Sequence, residues 1–213
     1  MARARANGLL ITLEGGEGSG KTTQANALAR HLEERGRSVC VTREPGGTAL
    51  GQAVLRLLRE SEGGLTLTPL SELLLFEADR AQHVSGLIRP ALASGKIVVC
   101  DRFSDSSLAY QGYGRGLGLE LIRRLNDEAT GGLSPHLTLL LDIPPEVGLA
   151  REGAQIDVTG RESPAFHKRV REGFLALARE EPERFVVIDA TLPVDEVAGL
   201  GLPAVEKLVR RDA

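Results

Sequence analysis

Gly15-Gly16-Glu17-Gly18-Ser19-Gly20-Lys21-Thr22 constrains this chain more than any other stretch. It joins the apolar run Leu9–Leu13 to a helical pattern that opens near Lys21. A strand, a glycine loop and a helix in that order turn successive backbone N–H groups toward one point, where a phosphate fits. The spacing then places the Lys21 ammonium on the outer phosphates and leaves the Thr22 hydroxyl to hold Mg²⁺. Glycines at 15, 18 and 20 permit torsions and close approaches that a β-carbon forbids. A flexible turn would explain these glycines, but not Lys21-Thr22 in the required place after a strand. The segment from Gly15 to Thr23, with Gly16, Glu17, Gly18, Ser19, Gly20, Lys21 and Thr22 between, is the candidate triphosphate site.

Phosphate binding has to be local, because the chain as a whole carries a net charge of only -3. That balance gives no footprint for a nucleic acid polymer or an anionic membrane. At 213 residues, 42% of them hydrophobic, the chain suits one domain spanning 1–213. No apolar run approaches the roughly 20 residues of a membrane span, and Met1-Ala-Arg-Ala-Arg-Ala lacks the apolar segment of a secretory signal. A cytoplasmic protein with a short disordered lead is expected. Cys40 and Cys100 each fall inside a strand-like run, which suits buried free thiols, and neither they nor the four histidines have metal-ligand spacing.

Apolar, β-branched runs recur at Leu9–Leu13, Ser38–Thr42, Ile97–Cys100, Leu137–Leu141 and Phe185–Ile188. They are apolar on both faces, as in a parallel sheet covered by helices on each side. Helical patterns fill the gaps at Lys21–Glu34, Ala49–Arg59, Ser71–Ser94, Leu119–Thr130, Pro145–Arg151, Ser163–Glu180 and Pro193–Arg211. Pro90 should kink or split the third of these. Gly36, Gly95 and Gly131-Gly132 sit as helix stops. The stretch 152–162 has two glycines and no apolar period, and reads as a mobile loop.

The glycine loop fixes a nucleotide site but not a reaction, since GTPases, motor ATPases and small-molecule kinases all use it. A GTPase would carry an Asn-Lys-x-Asp guanine reader, and the third strand would lead into Asp-x-x-Gly. Here it runs instead into Asp101-Arg102-Phe103. A carboxylate at the carboxyl end of a strand beside the loop can bind Mg²⁺, and an arginine next to it can bridge phosphates.

Further motifs narrow the choice. Thr42-Arg43-Glu44-Pro45-Gly46-Gly47-Thr48, Asp101-Arg102-Phe103, Ser106-Ser107-Leu108-Ala109-Tyr110-Gln111-Gly112, Gly114-Arg115-Gly116 and Leu141-Asp142-Ile143-Pro144-Pro145-Glu146 together resemble the bacterial-type thymidylate kinase family. The likeness runs in family order from about residue 8 to Asp189-Ala190-Thr191. It implies a P-loop kinase fold, an α/β domain with a five-stranded parallel sheet in the order 2-3-1-4-5, helices on both faces and a short lid near 152–162. It also implies transfer of the γ-phosphate of ATP to dTMP, with Mg²⁺, by a homodimer. By the same resemblance, Phe76 stacks on thymine and Arg80 hydrogen-bonds its carbonyl. Ser107 and Gln111 bond the pyrimidine, and Tyr110 packs near the sugar. Glu17 and Glu44 lie near the 3′-hydroxyl and the acceptor phosphate, compensated by Arg43 and Arg102, and Asp101 joins Thr22 at the metal.

Spacing supports part of this independently, because residues four apart share a helix face, so a ring and a guanidinium can address one flat base. Taken without the resemblance, Phe76 reads as core and Arg80 as a solvated partner of Glu77 or Asp79. Ser107 and Gln111 read equally well as polar caps of the following helix. Two departures from the family pattern stand out. The stretch after Ala150 carries few basic residues, which makes Arg161 the first candidate for the catalytic lid arginine and Arg151 the second. The arginine that commonly reaches the acceptor phosphate would fall at Leu55, with Arg56 one position and about 100° of helix away.

Overall fold

A computed structural model describes residues 8–60, 67–152 and 162–211. Five parallel strands, β1 (Leu10–Glu14), β2 (Val39–Arg43), β3 (Ile97–Asp101), β4 (Leu137–Asp142) and β5 (Phe185–Asp189), lie in the order β2-β3-β1-β4-β5. β1 pairs on one side with β3, Leu13 opposite Asp101, and on the other with β4, Leu13 opposite Leu139. Burial follows this order. β1 and β3 are buried along their whole length and β4 along all but its last residue, whereas the edge strands alternate and expose Val41 and Val187. A strand flanked on both sides and covered on both faces has no position left for a solvated side chain.

The helices supply those covers. Leu9, Ile11 and Leu13 point to a core shared with Ala25, Leu28 and Leu32 of α1 (Lys21–Glu33) and with Val197, Val205 and Val209 of α9 (Val194–Arg211). The alternate side chains Leu10, Val98 and Cys100 face Val84, Ile88 and Leu92 on the opposite side, as a period of two requires. A third cluster joins Leu140 and Phe185 to Phe174 and Leu177 of α8 (Pro164–Glu180) and to Ile122 of α6 (Leu119–Thr130). The remaining helices are α2 (Ala49–Glu60), α3 (Pro69–His83), α4 (Arg89–Ala93), α5 (Ser104–Ser107) and α7 (Pro145–Glu152). Gly36, Gly95, Gly131 and Gly132 all have positive φ at the helix ends where the sequence placed stops.

Three local features differ from the sequence expectation. The helix expected at Ser71 begins two residues earlier, because Thr68 caps it by accepting the Ser71 N–H at 3.2 Å and Pro69 fits the first turn. It does not run unbroken to Ser94: residues Val84–Ile88 form a π-helical turn before α4. Pro90 lacks an N–H, and its ring would meet the carbonyl of Gly86 in a regular helix, so the backbone widens just ahead of it. Finally, Ser104–Gly114 is itself helical, α5 passing into a π-helical segment Leu108–Gly114. Ser107 and Gln111 therefore lie within that helix and cap nothing; α6 starts beyond them after Gly118. Cys100 is buried as expected, but Cys40, on edge strand β2, is only half-buried, and both are free thiols.

Candidate active site

The loop between β1 and α1 closes tightly on the segment after β4. Gly18 has φ 64°, and a β-carbon there would stand 1.9 Å from the Gly148 carbonyl oxygen; at Gly15, φ 144°, it would stand 2.4 Å from the Leu141 carbonyl oxygen. Both glycines are thus required by backbone contact as well as torsion. Ser19 donates to the Gly16 carbonyl at 2.9 Å. Lys21, at the start of α1, curls over its own loop and donates to the carbonyls of Gly15 at 3.0 Å and Gly16 at 2.7 Å. Burial and the nearby Arg102 charge pull its pKa below the usual lysine value, against the opposing pull of Glu17, Asp101 and Glu14. A glycine loop leading into the N-terminus of α1, with Lys21 at its first position, is an arrangement suited to a polyphosphate.

Thr22 and Thr23 are exposed in the first turn of α1. The Thr22 hydroxyl donates to Asp101 Oδ2 at the end of β3, so parallel pairing of β1 with β3 brings these two oxygens together. Both are hard donors of the kind Mg²⁺ takes. Among the described residues no group of three His, Cys, Asp or Glu could hold a metal alone. That donor set fits Mg²⁺, which keeps several waters and binds through one or two protein oxygens plus substrate phosphates.

Arg102 follows Asp101 in a left-handed backbone conformation, φ 69°. Its guanidinium donates to Glu17 Oε2 at 2.7 Å, to the Tyr110 hydroxyl at 3.1 Å and to the Gly15 carbonyl at 3.3 Å, and lies 5.0 Å from the centre of the Tyr110 ring. Tyr110 in turn donates to Glu17 Oε1 at 2.8 Å. This triangle ties the glycine loop to the helix Ser104–Gly114. Burial pushes the Tyr110 hydroxyl well above its ordinary pKa, so it stays protonated and keeps donating to Glu17. Burial opposes the Arg102 charge, but Tyr110 and the carboxylates of Glu17 and Asp101 outweigh it and keep the guanidinium protonated.

Beyond that triangle a cleft of about 720 Å³ of atom-free space, part of it open to solvent, lies between α2, α3 and the helix Ser104–Gly114. Phe76, Arg80, Ser107, Tyr110, Gln111, Glu44 and Arg102 all line it. Phe76 is half-buried there and belongs to none of the core clusters. Arg80 is not a solvated surface group: only 2% of it is exposed. Its Nε donates to Glu44 Oε2 at 3.0 Å, and its Nη1 approaches Glu77, Ser107 Oγ at 3.0 Å and Asn126 Oδ1 at 2.8 Å. Its Nη2 donates to the Phe103 carbonyl at 3.2 Å. Gln111 donates through its amide nitrogen to Glu72 Oε1 at 2.7 Å, and Arg115 pairs with the same carboxylate. Arg80, Ser107 and Gln111 are therefore each held by another polar side chain.

The other residues singled out from sequence lie elsewhere. Arg43 is exposed and borders a separate recess with Thr22 and Asp101, on the phosphate side. Leu55 lines the cavity, whereas Arg56, the next residue, is exposed. Arg151 donates to the carbonyls of Ala190 at 2.7 Å and Thr191 at 3.1 Å, beside the Asp189–Thr191 turn. Arg161, the first lid candidate, lies outside the described residues, as do residues 153–160 of the expected lid and residues 1–7 of the expected N-terminal lead.

Sequence reasoning missed the supports: Glu72, Asn126, Arg115 and the buried His83, which stands 2.8 Å from Glu44 Oε1 and 2.6 Å from Thr42 Oγ1. Glu72, Arg80 and His83 are buried along α3 at helical spacing. That polar stripe on a face that should be apolar was the available signal.

Comparison with known proteins agrees with this geometry. The family model described as thymidylate kinase matches residues 13–199. Among similar curated proteins, a thymidylate kinase from a Synechococcus strain is 59% identical over 89% of this chain and 90% of its own. One from Desulfosudis oleivorans is 53% identical over 94% and 97%. The crystal structure of a thymidylate kinase from Ehrlichia chaffeensis superposes with a TM-score of 0.76 at 39% identity, covering 95% of this chain and 98% of that one. With this sheet order, a phosphate loop facing a lined cavity, and relatives matched over nearly their whole length, the chain belongs to the thymidylate kinase family.

Proposed function

We propose that this chain transfers the γ-phosphoryl group of ATP to dTMP, giving ADP and dTDP in the synthesis of dTTP. The observation that carries the reading is the shared wall: Arg102 touches the phosphate loop through Gly15 and Glu17 and also lines the cavity containing Phe76 and Arg80. A donor in the loop and an acceptor in that cavity would meet at one guanidinium.

In this reading Gly15 to Thr23 hold ATP, and the acceptor's pyrimidine lies on Phe76. Arg80 Nη2 carries two hydrogens, one of them directed at Phe103, which leaves the other for the thymine O4 acceptor. Cytosine presents a donor at that place and is disfavoured. Gln111, its nitrogen committed to Glu72, accepts the base N3–H through its carbonyl oxygen, and Ser107 and Tyr110 complete the fit. Glu17 and Glu44 address the sugar hydroxyl and the acceptor phosphate end, with Arg43 and Arg102 offsetting their charge.

No general base is needed, because a dTMP phosphate oxygen is already anionic. Catalysis is alignment of the two nucleotides, exclusion of water and neutralisation of charge on the moving group. Lys21 and Arg102 supply fixed cations for it, and Arg161 is the proposed lid cation. Thr22 and Asp101 would hold Mg²⁺, which would supply further neutralisation of phosphate charge. The whole chain acts as one domain, with the lid at 152–162. We further read it as a cytoplasmic homodimer. Exposed Leu50 on α2 and Leu70 and Leu74 on the adjoining α3 support a self-association face, and no helix among the described residues is long and apolar enough to cross a membrane.

Coupled ATP-consumption assays with dTMP, dUMP, dCMP, AMP and shikimate test the assignment. The highest kcat/KM should be with dTMP; preference for another acceptor, or ATP consumption independent of any acceptor, would refute it.

A further inference from the structure

Arg102 is the single non-glycine residue with a left-handed backbone among those described. A bulky side chain keeps that conformation only when its surroundings over-determine it. On one side, the Arg102 N–H donates to the Leu13 carbonyl at 3.0 Å. On the other, the direction of the next peptide is fixed by Glu14: the Phe103 N–H donates to Glu14 Oε1 at 2.8 Å, and the Ser106 hydroxyl donates to Glu14 Oε2 at 2.6 Å.

Glu14 is fully buried at the last position of β1, directly before Gly15. Both of its oxygens are spent on the turn that carries Arg102. A carboxyl group is a costly occupant for such a place, where an apolar side chain would continue the strand without penalty. Among the charged groups facing it are Arg102 and Asp105, and Asp105 is itself paired with Arg184 at 2.7 Å. Glu14 therefore serves as a bracket between the end of β1, the phosphate loop and the Arg102 turn.

We propose that Glu14 is a positioning residue for phosphoryl transfer, holding Arg102 through Phe103 and Ser106 in the turn that aims its guanidinium at Glu17 and the phosphates. This rests on the reading of Arg102 as a phosphate-binding residue. Glutamine can reproduce the bracket, its carbonyl accepting from Phe103 and its amide donating to Ser106. Aspartate keeps the carboxyl group but is one methylene too short to span the turn, and valine provides neither bond.

The test is a double-mutant cycle with Arg102. Glu14→Gln should stay within about 3-fold of the parent in kcat, while Glu14→Val and Glu14→Asp should each lose about 30-fold or more with both KM values within about 3-fold. In an Arg102→Ala background the same two substitutions should cost under about 3-fold more, since what they disturb is already gone. Should Glu14→Val fail to fold, the Asp and Gln variants decide the matter. Full multiplication of the Glu14 and Arg102 effects, or an active Asp variant beside an inactive Gln variant, would overturn the positioning role and leave the Arg102 reading standing. Undiminished turnover in Arg102→Ala would remove both.

Discussion

Replacing Phe76 by alanine separates a base platform from a core residue. The ring is half-buried on the wall of the cavity between α2, α3 and the helix Ser104–Gly114, whereas Phe103 and Phe174 are fully buried. Truncating a core phenylalanine costs about 3–5 kcal/mol. With part of its surface already facing the cavity, Phe76 should cost the fold only about 1–2 kcal/mol by the same area reasoning. At about 2–4 °C per kcal/mol for a domain of this size, the melting temperature should fall by roughly 2–8 °C. Base stacking on an aromatic is worth on the order of 1–3 kcal/mol, and about 1.4 kcal/mol is tenfold. KM for dTMP should thus rise between about 5- and 150-fold, with KM for ATP unchanged. Initial rates varied in each nucleotide, with thermal unfolding alongside, make the comparison. A loss of about 3 kcal/mol or more in stability, or ATP weakened as much as dTMP, would place Phe76 in the core and refute the reasoning.

Lys21→Ala should lower kcat by orders of magnitude and leave dTMP binding, measured by calorimetry, largely intact, since Lys21 touches only the phosphate loop. Gly18→Ala should also abolish most turnover, because the new methyl would collide with the Gly148 carbonyl; ordinary kinetics for that variant would contradict the tight loop. Burial, reinforced by Asp105, raises Glu14 from the usual carboxylate range to about 8. The folded state then holds a proton that the unfolded chain releases near pH 4.5, so this contribution is complete below about 4.5 and is lost as pH rises through about 8. Asp79, raised to about 6, acts in the same direction but is spent by pH 7. Urea midpoints should therefore fall as pH rises from about 4.5 to about 8 and then level off, and Glu14→Gln should flatten that fall.

The sheet was legible because five runs apolar on both faces have few alternatives. The strands extend a residue further, to Glu14, Asp101, Asp142 and Asp189, since a charged side chain at the carboxyl edge can leave the sheet while its backbone stays in the ladder. The helix Ser104–Gly114 was hidden by Gly112 and Gly114, which usually oppose helix. Here each is required by a neighbour: a β-carbon at Gly112 would meet Leu119 at 2.5 Å, and one at Gly114 would meet Phe166 at 2.6 Å. Of the site, the phosphate loop could be read directly because its residues are contiguous. Phe76 and Arg80 needed the family resemblance, and groups that bond Arg80, Glu44 after β2, Ser107 in α5 and Asn126 in α6, come from separate elements that only the fold brings together. Glu14 gave no local sign at all, since a single acid at a strand end looks like any solvated carboxylate.

The crystal structure of this protein with dTMP bound tests the central claim most directly. The account predicts the pyrimidine stacked on Phe76, its O4 within hydrogen-bond distance of Arg80, and the phosphate directed toward Arg102 and the glycine loop. A pyrimidine bound outside that cavity, or a phosphate turned away from Arg102, would contradict it.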